Sequence, residues 1–322
     1  MNPVDRRPAF GVLIANFNGE PFIERCLGTV LAAGRASGVE METVVIDDGS
    51  TDRSPDLVRQ QFSSVRLIRR GRNNGFGVAV NEAMAAMDAD WVFLLNNDVA
   101  LKVDFFRRLL NTLQDYTTDH PGSTLFAIGA KTCDWASMAV NHGGQNARWR
   151  KNMIVQEPFD AVMAEPTIFH QAGACVMNRR LFLELGGFDY IYYPGYWEDY
   201  DISYQACRRR WAVLYDPLAV AYHFGKGTMI RRLGRWRLAL VIRRNHLLFN
   251  WINLADRGLL LRPLMSLPAL IFQDDAAPDE PGWGRALLEA LKYLPAALRL
   301  RRARLHIPGI PDRELLAMDR ST

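Results

Sequence analysis

Cysteine is scarce and scattered in this chain: Cys26, Cys133, Cys175 and Cys207 stand far apart with no paired spacing. That pattern argues against both a disulfide framework and a zinc cage, and it favours a reducing, cytoplasmic setting. Long apolar runs are missing too. None reaches bilayer-spanning length, and residues 1–10 lead into the first strand without the apolar core of a signal peptide. No Gly-x-Gly-x-x-Gly follows that strand, which counts against a dinucleotide-dependent oxidoreductase. No internal repeat or low-complexity segment is found.

The sequence does hold 322 residues with 49% hydrophobic content, enough for one large domain or a domain plus an appendage. Its net charge of +4 is unevenly spread. Residues 1–223 contain 22 Lys+Arg against 26 Asp+Glu, a balance of −4, and residues 224–322 contain 17 against 9, a balance of +8. The basic third suits an anionic partner, either nucleic acid or a membrane surface.

Strand and helix patterns alternate four times over about the first hundred residues. Strands are predicted at 10–15, 43–46, 65–68 and 91–95, each followed by a polar turn. In Trp91-Val-Phe-Leu-Leu-Asn-Asn-Asp98 an apolar run long enough for a strand buried on both faces delivers a carboxylate to a sheet edge. On this stretch alone, a substrate- or metal-touching Asp98 and a polar turn capping the next helix stand level. An amphipathic helix at 104–116 and strands at 125–128, 173–177, 212–215 and 220–223 follow, with a helix capped by Asn178 and another opened by Glu198. Residues 131–170 lack clear periodicity and suit a functional flap or binding surface, with short hidden strands as the open alternative. Residues 230–254 and 283–305 interleave arginines with leucine and tryptophan. That texture fits a membrane-surface helix better than a nucleic-acid arm, and it fits helices packed on the main domain equally well.

Several ordered motifs carry a resemblance: Ala15-Asn-Phe-Asn-Gly19, Val45-Ile-Asp-Asp-Gly-Ser-Thr-Asp52, Asn73-Asn-Gly-Phe-Gly-Val-Ala-Val-Asn81, Leu94-Leu-Asn-Asn-Asp98, Gly173-Ala174, Gly186-Gly-Phe-Asp189 and Trp197-Glu-Asp-Tyr-Asp201. Over roughly residues 10–250 the chain resembles the inverting family 2 glycosyltransferases, and within them the rhamnosyltransferase-like branch of cell-wall and surface-polysaccharide assembly. The resemblance implies an α/β fold of GT-A (Rossmann-like) type, a mostly parallel central sheet flanked by helices. The expected division is a catalytic domain at 1–225, with a nucleotide-sugar half at about 1–100 and an acceptor half at about 101–225, and a basic amphipathic helical C-terminal extension at 226–322.

By that resemblance Asp98 and His223 hold a divalent cation, Mg²⁺ or Mn²⁺. Asn96 replaces the first acid of the family's acid-x-acid motif, so the cation is expected to bind weakly without the donor diphosphate. Asp199 matches the catalytic base, and Glu198 is the second candidate. Donor contacts fall on Ala15, Asn16, Phe17, Asp47, Asp48, Asn74, Gly75, Asn81, Asn96 and Asn97, and acceptor-side positions on Gly173, Ala174 and Trp197. Arg244-Asn245 matches a family pair whose role the sequence leaves open. The expected partners are a nucleotide-sugar donor (dTDP-rhamnose or a UDP-sugar), a glycan or lipid-linked saccharide acceptor, and an anionic membrane surface met by the C-terminal helices of a cytoplasmic, peripherally bound protein. Nucleic acid is not expected, and the oligomeric state is open. Two other functions stand beside this one. A nucleotidylyltransferase would need an early glycine- and basic-rich phosphate loop, and none follows Ala15; a non-catalytic nucleotide-sugar-binding module would bind donor without turnover.

Overall fold

The computed structural model describes residues 9–224, 228–256, 258–259 and 280–317. The strand-helix alternation of the first hundred residues folds as β1 (Phe10–Asn16), α1 (Ile23–Ser37), β2 (Met41–Asp47), α2 (Ser54–Gln61), β3 (Arg66–Arg69), α3 (Phe76–Ala86) and β4 (Trp91–Asn96). These four strands lie parallel in the order β3-β2-β1-β4. Then come β5 (Val99–Leu101), α4 (Phe105–Asp119), β6 (Leu125–Asp134), β7 (Val140–His142), β8 (Gly144–Arg150), β9 (Met153–Phe159), β10 (Glu165–Pro166) and β11 (Ala174–Asn178). The chain continues through α5 (Arg179–Glu184), α6 (Glu198–Arg208), β12 (Ala212–His223), α7 (Thr228–Leu233) and α8 (Arg235–Asn253). Antiparallel β11 joins β4 to β6, and β6 pairs in parallel with β12, so in the one sheet that runs through the molecule β1 to β4, β6 and β12 all point the same way.

Burial on both faces explains the apolar runs. Along β1 and β4, Leu13, Val92 and Leu94 face one core cluster, while Val12, Ile14, Phe93 and Leu95 face the other. The period-2 geometry of a strand sends successive side chains to opposite layers. Ile23, Leu27 and Val30 of α1 and Phe105, Phe106 and Leu109 of α4 cover one layer. Residues of α3, α5, α6 and α8 cover the other, together with Ala286, Ala290 and Ala297 of the C-terminal helices Trp283–Leu291 and Leu294–Leu305. Those helices thus pack into the core of the sheet, and their basic residues divide. Arg304 is turned inward, as is Arg244 of α8, whereas Arg299 and Arg302 face out.

Residues 131–170 do hold short strands: the end of β6, then β7, the β8–β9 hairpin and β10. Two expectations change. The strands predicted at 212–215 and 220–223 are one strand, β12, with a register shift between Asp216 and Val220. The element predicted at 283–305 breaks at Tyr293, where Pro295 lies in the first turn of the second helix and cannot continue the first. Residues 225–227 and 260–279 and the side chain of Arg231 lie outside the described residues. Among the described residues no helix is long and apolar enough to cross a membrane.

Candidate active site

The carboxyl ends of β1, β2 and β4 meet at one edge and are laced together there. Asn16 Nδ2 donates to Asp47 Oδ1 at 2.8 Å and to Ser54 Oγ at 2.9 Å, and Asn16 Oδ1 accepts from Asn97 Nδ2 at 2.7 Å. Asp47 also accepts from the Ser50 backbone N–H and hydroxyl. Fully buried, it stands behind the wall and supports it, so the direct donor contact expected of it is not what the structure offers. Asp48 lies on the wall and draws the next turn in: Arg70 donates to it at 2.8 Å, and the Asn74 and Gly75 N–H groups at 3.1 and 2.8 Å. Burial raises its pKa against the pull of those three donors. Gly75 has φ +95°, and a Cβ there would come within 2.7 Å of the Tyr193 ring, so only glycine fits this turn.

These residues form one side of a cavity of ≈ 650 Å³ lined by Ala15, Asn16, Phe17, Asp48, Asn96, Asn97, Asp98, Gly173, Trp197, Glu198, Asp199 and His223. The positions named from the sequence are thus largely brought together. Asn74 and Gly75 line an adjoining crevice that reaches Glu198. Two others stand back from the cavity. Asn81 exchanges hydrogen bonds with the backbone of Phe188 at 2.8 Å each, and Ala174 is buried between strands of the sheet. Of the positions expected on the acceptor side, Gly173 and Trp197 reach the wall; a Cβ on Gly173 would strike the Asn96 amide at 2.6 Å.

Pairing of β5 with β12 sets His223 opposite Val99 and so beside Asp98. Asp98 Oδ2 lies 3.3 Å from His223 Nε2, while Oδ1 is buried and has no hydrogen-bond partner among the described residues. A buried carboxylate oxygen left without a donor is costly unless something positive meets it, so this pair fits a cation. Two protein ligands make a sparse donor set. No cluster of three or more His, Cys, Asp or Glu able to hold a metal occurs among the described residues. The set suits a hard cation that takes its remaining oxygens from a diphosphate.

The opposite wall is the start of α6. Tyr196 and Trp197 precede it with φ +72° and +80°, an uncommon conformation for bulky residues. The backbone is held there by Asn245, whose Nδ2 donates to the carbonyls of Tyr192, Gly195 and Tyr196 at 3.0, 2.9 and 2.9 Å, and by Arg244, which donates to Tyr193 O. Trp197 stacks on His246, with ring centres 4.2 Å apart. These contacts give the Arg244-Asn245 pair its role.

Asp199 is partly exposed to the cavity and accepts from the Tyr200 and Ala172 N–H groups at 2.9 and 3.3 Å. Burial raises its pKa to about 6 despite those donors. Glu198, more deeply buried and beside the Asp199 charge, is pushed well above the carboxylate range, and its Oε2 has no partner among the described residues. The two neighbours therefore differ: Glu198 is pushed further from the ordinary carboxylate range, and Asp199 is the more readily ionised of the pair. His142, Gln156, Gln171, Met229, Ile230 and Arg232 also line the cavity and were not foreseen. His142 and Gln156 come from the region without periodicity, where no pattern assigned them a face, and Gln171 directly follows it.

Residues 11–186 match the family model described as Glycosyl transferase family 2, and the chain belongs to that family. It is 28% identical to an N-acetylglucosaminyl-diphospho-decaprenol L-rhamnosyltransferase of Mycobacterium tuberculosis, over 66% of this chain and 75% of the relative. Residues 1–349 of S. aureus TarS in complex with UDP-GlcNAc superimpose with a TM-score of 0.54 at 16% identity, over 92% of this chain and 88% of that one. GalNAc-T7 with UDP, GalNAc and Mn²⁺ does so with a TM-score of 0.60 at 14% identity, over 91% of this chain and 58% of that one. The fold is that of GT-A glycosyltransferases.

Proposed function

We propose that this family 2 glycosyltransferase moves a sugar, with inversion, from a pyrimidine-nucleotide diphosphate sugar to a hydroxyl of a glycan or lipid-linked saccharide. One observation carries the reading: a single cavity holds the cation-ready Asp98–His223 pair on one wall and the Asp199 carboxyl group on the other. The nucleoside lies along Ala15, Asn16 and Phe17, with Asp48 and the Asn74-Gly75 turn shaping its edge. A divalent cation bound by Asp98 and His223 would set positive charge against the departing diphosphate. Asp199 takes the proton from the acceptor hydroxyl as that oxygen attacks the anomeric carbon. The new glycosidic bond forms as the bond to the diphosphate breaks. Asp199 serves as the base because it is the more open to the cavity and the more readily ionised of the pair. A base facing the leaving group implies one displacement and an inverted product. A rhamnosyl donor and a polyprenyl-linked acceptor are the preferred substrates, since the M. tuberculosis relative carries both in its name.

The test screens dTDP- and UDP-sugars for thermal stabilisation with and without Mg²⁺ or Mn²⁺, followed by product analysis. A ligand bound only by the folded state raises the melting point. Cation-dependent stabilisation by a sugar nucleotide, and a product of inverted configuration, are expected. Stabilisation by none of them overturns the reading.

A further inference from the structure

Where α7 meets α8, the molecule carries charge that the fold does not use. Arg235 and Arg237 sit in the first turn of α8, where the helix dipole favours acids over cations, and both are exposed. Between them Trp236 is 42% exposed. From helix Trp283–Leu291, the Arg285 guanidinium lies 5.6 Å from the centre of the Trp236 ring, and Leu288, one turn on, is 64% exposed. No carboxylate among the described residues is ion-paired with Arg235, Arg237 or Arg285. A cluster of cations without ion pairs around an exposed indole and leucine, tied to the fold through the Arg285–Trp236 contact, marks a surface kept for a partner.

The patch is also continuous with the cavity. Met229, Ile230 and Arg232 of α7 and Ile242 of α8 line the space that contains Asp199. We propose that this α7–α8 face docks on an anionic phospholipid bilayer and turns the mouth of the cavity toward it, so that an acceptor anchored in the bilayer reaches Asp199. The proposal rests on the lipid-linked acceptor of the functional reading. Its physics is that of an interfacial helix: cations meet anionic headgroups, while Trp236 and Leu288 enter the headgroup boundary. The apolar lining at Met229, Ile230 and Ile242 gives the lipid end of such an acceptor a compatible path.

The experiment is co-sedimentation of the full chain with phosphatidylcholine vesicles, with and without phosphatidylglycerol, across a salt series. The expected result is binding that requires the anionic lipid and weakens with salt. Arg235→Ser/Arg237→Ser/Arg285→Ser is expected to lower the vesicle partition coefficient about a hundredfold, since each cation near such a surface contributes about fivefold. Trp236→Ala is expected to weaken binding at high salt as well. Equal binding to neutral vesicles, unchanged binding by the triple variant, or binding to single-stranded RNA in place of anionic vesicles each overturns the proposal. Nucleotide-induced stabilisation is measured on the same samples. A protein that is stabilised by nucleotide and ignores vesicles refutes the docking face alone, whereas one that binds vesicles without nucleotide stabilisation refutes the transferase reading.

Discussion

Asp98 Oδ2 lies 3.3 Å from His223 Nε2, and the other oxygen of the same carboxylate is buried without a partner. Residues more than a hundred positions apart are thus joined at one sheet edge by the β5–β12 pairing. If they hold a cation, removing one ligand weakens it without closing the site. His223→Ala is expected to raise the Mn²⁺ concentration for half-maximal activity about tenfold, roughly 1.4 kcal/mol, with metal-free nucleotide binding unchanged. Asp98→Asn should abolish metal-dependent turnover. A metal titration of initial rates checks both.

Asp199 gives a prediction with two signs. As a base it must be ionised, so kcat/KM is expected to rise with pH through about 6 and then level off. Its folded-state pKa lies above the ordinary value, so the folded protein holds its proton more tightly than the unfolded chain. Asp199 therefore weakens the fold above about pH 6, and the penalty fades as pH falls toward the unfolded value near 4. Asp199→Asn is expected to lose about 10²- to 10⁴-fold in turnover while melting higher than the parent at pH 8, with the difference shrinking below pH 6. Melting curves and rates across pH decide it. Equal melting points at pH 8 would remove the burial argument.

The nucleotide-side strands were legible because each carries a short apolar run and ends in a polar turn. Residues Thr43 to Ile46, for instance, fall inside β2. Legibility failed where order comes from pairing partners remote in sequence. The β8–β9 hairpin pairs Gly144 with Phe159 through Arg150 with Met153, yet half its residues are only partly buried, so no clean alternation marks it. At the site, motif resemblance pointed to Asp98, His223 and Asp199. It could not separate wall from support: Asp47 and Asp48 are adjacent, and only the fold shows that Asp47 is sealed behind Asn16 while Asp48 faces the cavity. Asn245 showed no signal beyond its motif because its three partners lie some fifty residues earlier.

Asn245 holds Tyr196 and Trp197 in left-handed backbone conformations just ahead of Glu198. Asn245→Ala leaves the buried Tyr192 carbonyl without that donor and frees the loop, an expected cost of about 2–3 kcal/mol. Because the loop sets the start of α6, turnover should fall further than nucleotide affinity. Calorimetric nucleotide binding beside steady-state rates separates the two. Parallel loss of both would assign the residue to stability alone.

Arg304 reaches from the last long helix into the back of α6, where it donates to both oxygens of the buried Asp201 at 2.6 and 2.9 Å. Asp201 also accepts from Tyr192 Oη, Asn253 Nδ2 and Gln205 Nε2. The C-terminal arginine therefore supports the helix whose first turn carries Asp199. Removing it leaves a carboxylate in a dry site with neutral donors only, and Arg304→Met is expected to cost about 3–5 kcal/mol. Much of that cost is the unpaired charge, so Asp201→Asn placed in the same chain should recover a large part of it: Asn still accepts from Tyr192 and Asn253. A double-mutant cycle in urea measures the coupling. Additive losses would show that Arg304 acts through packing, and the C-terminal helices would then be a cover for the core, without a specific link to α6.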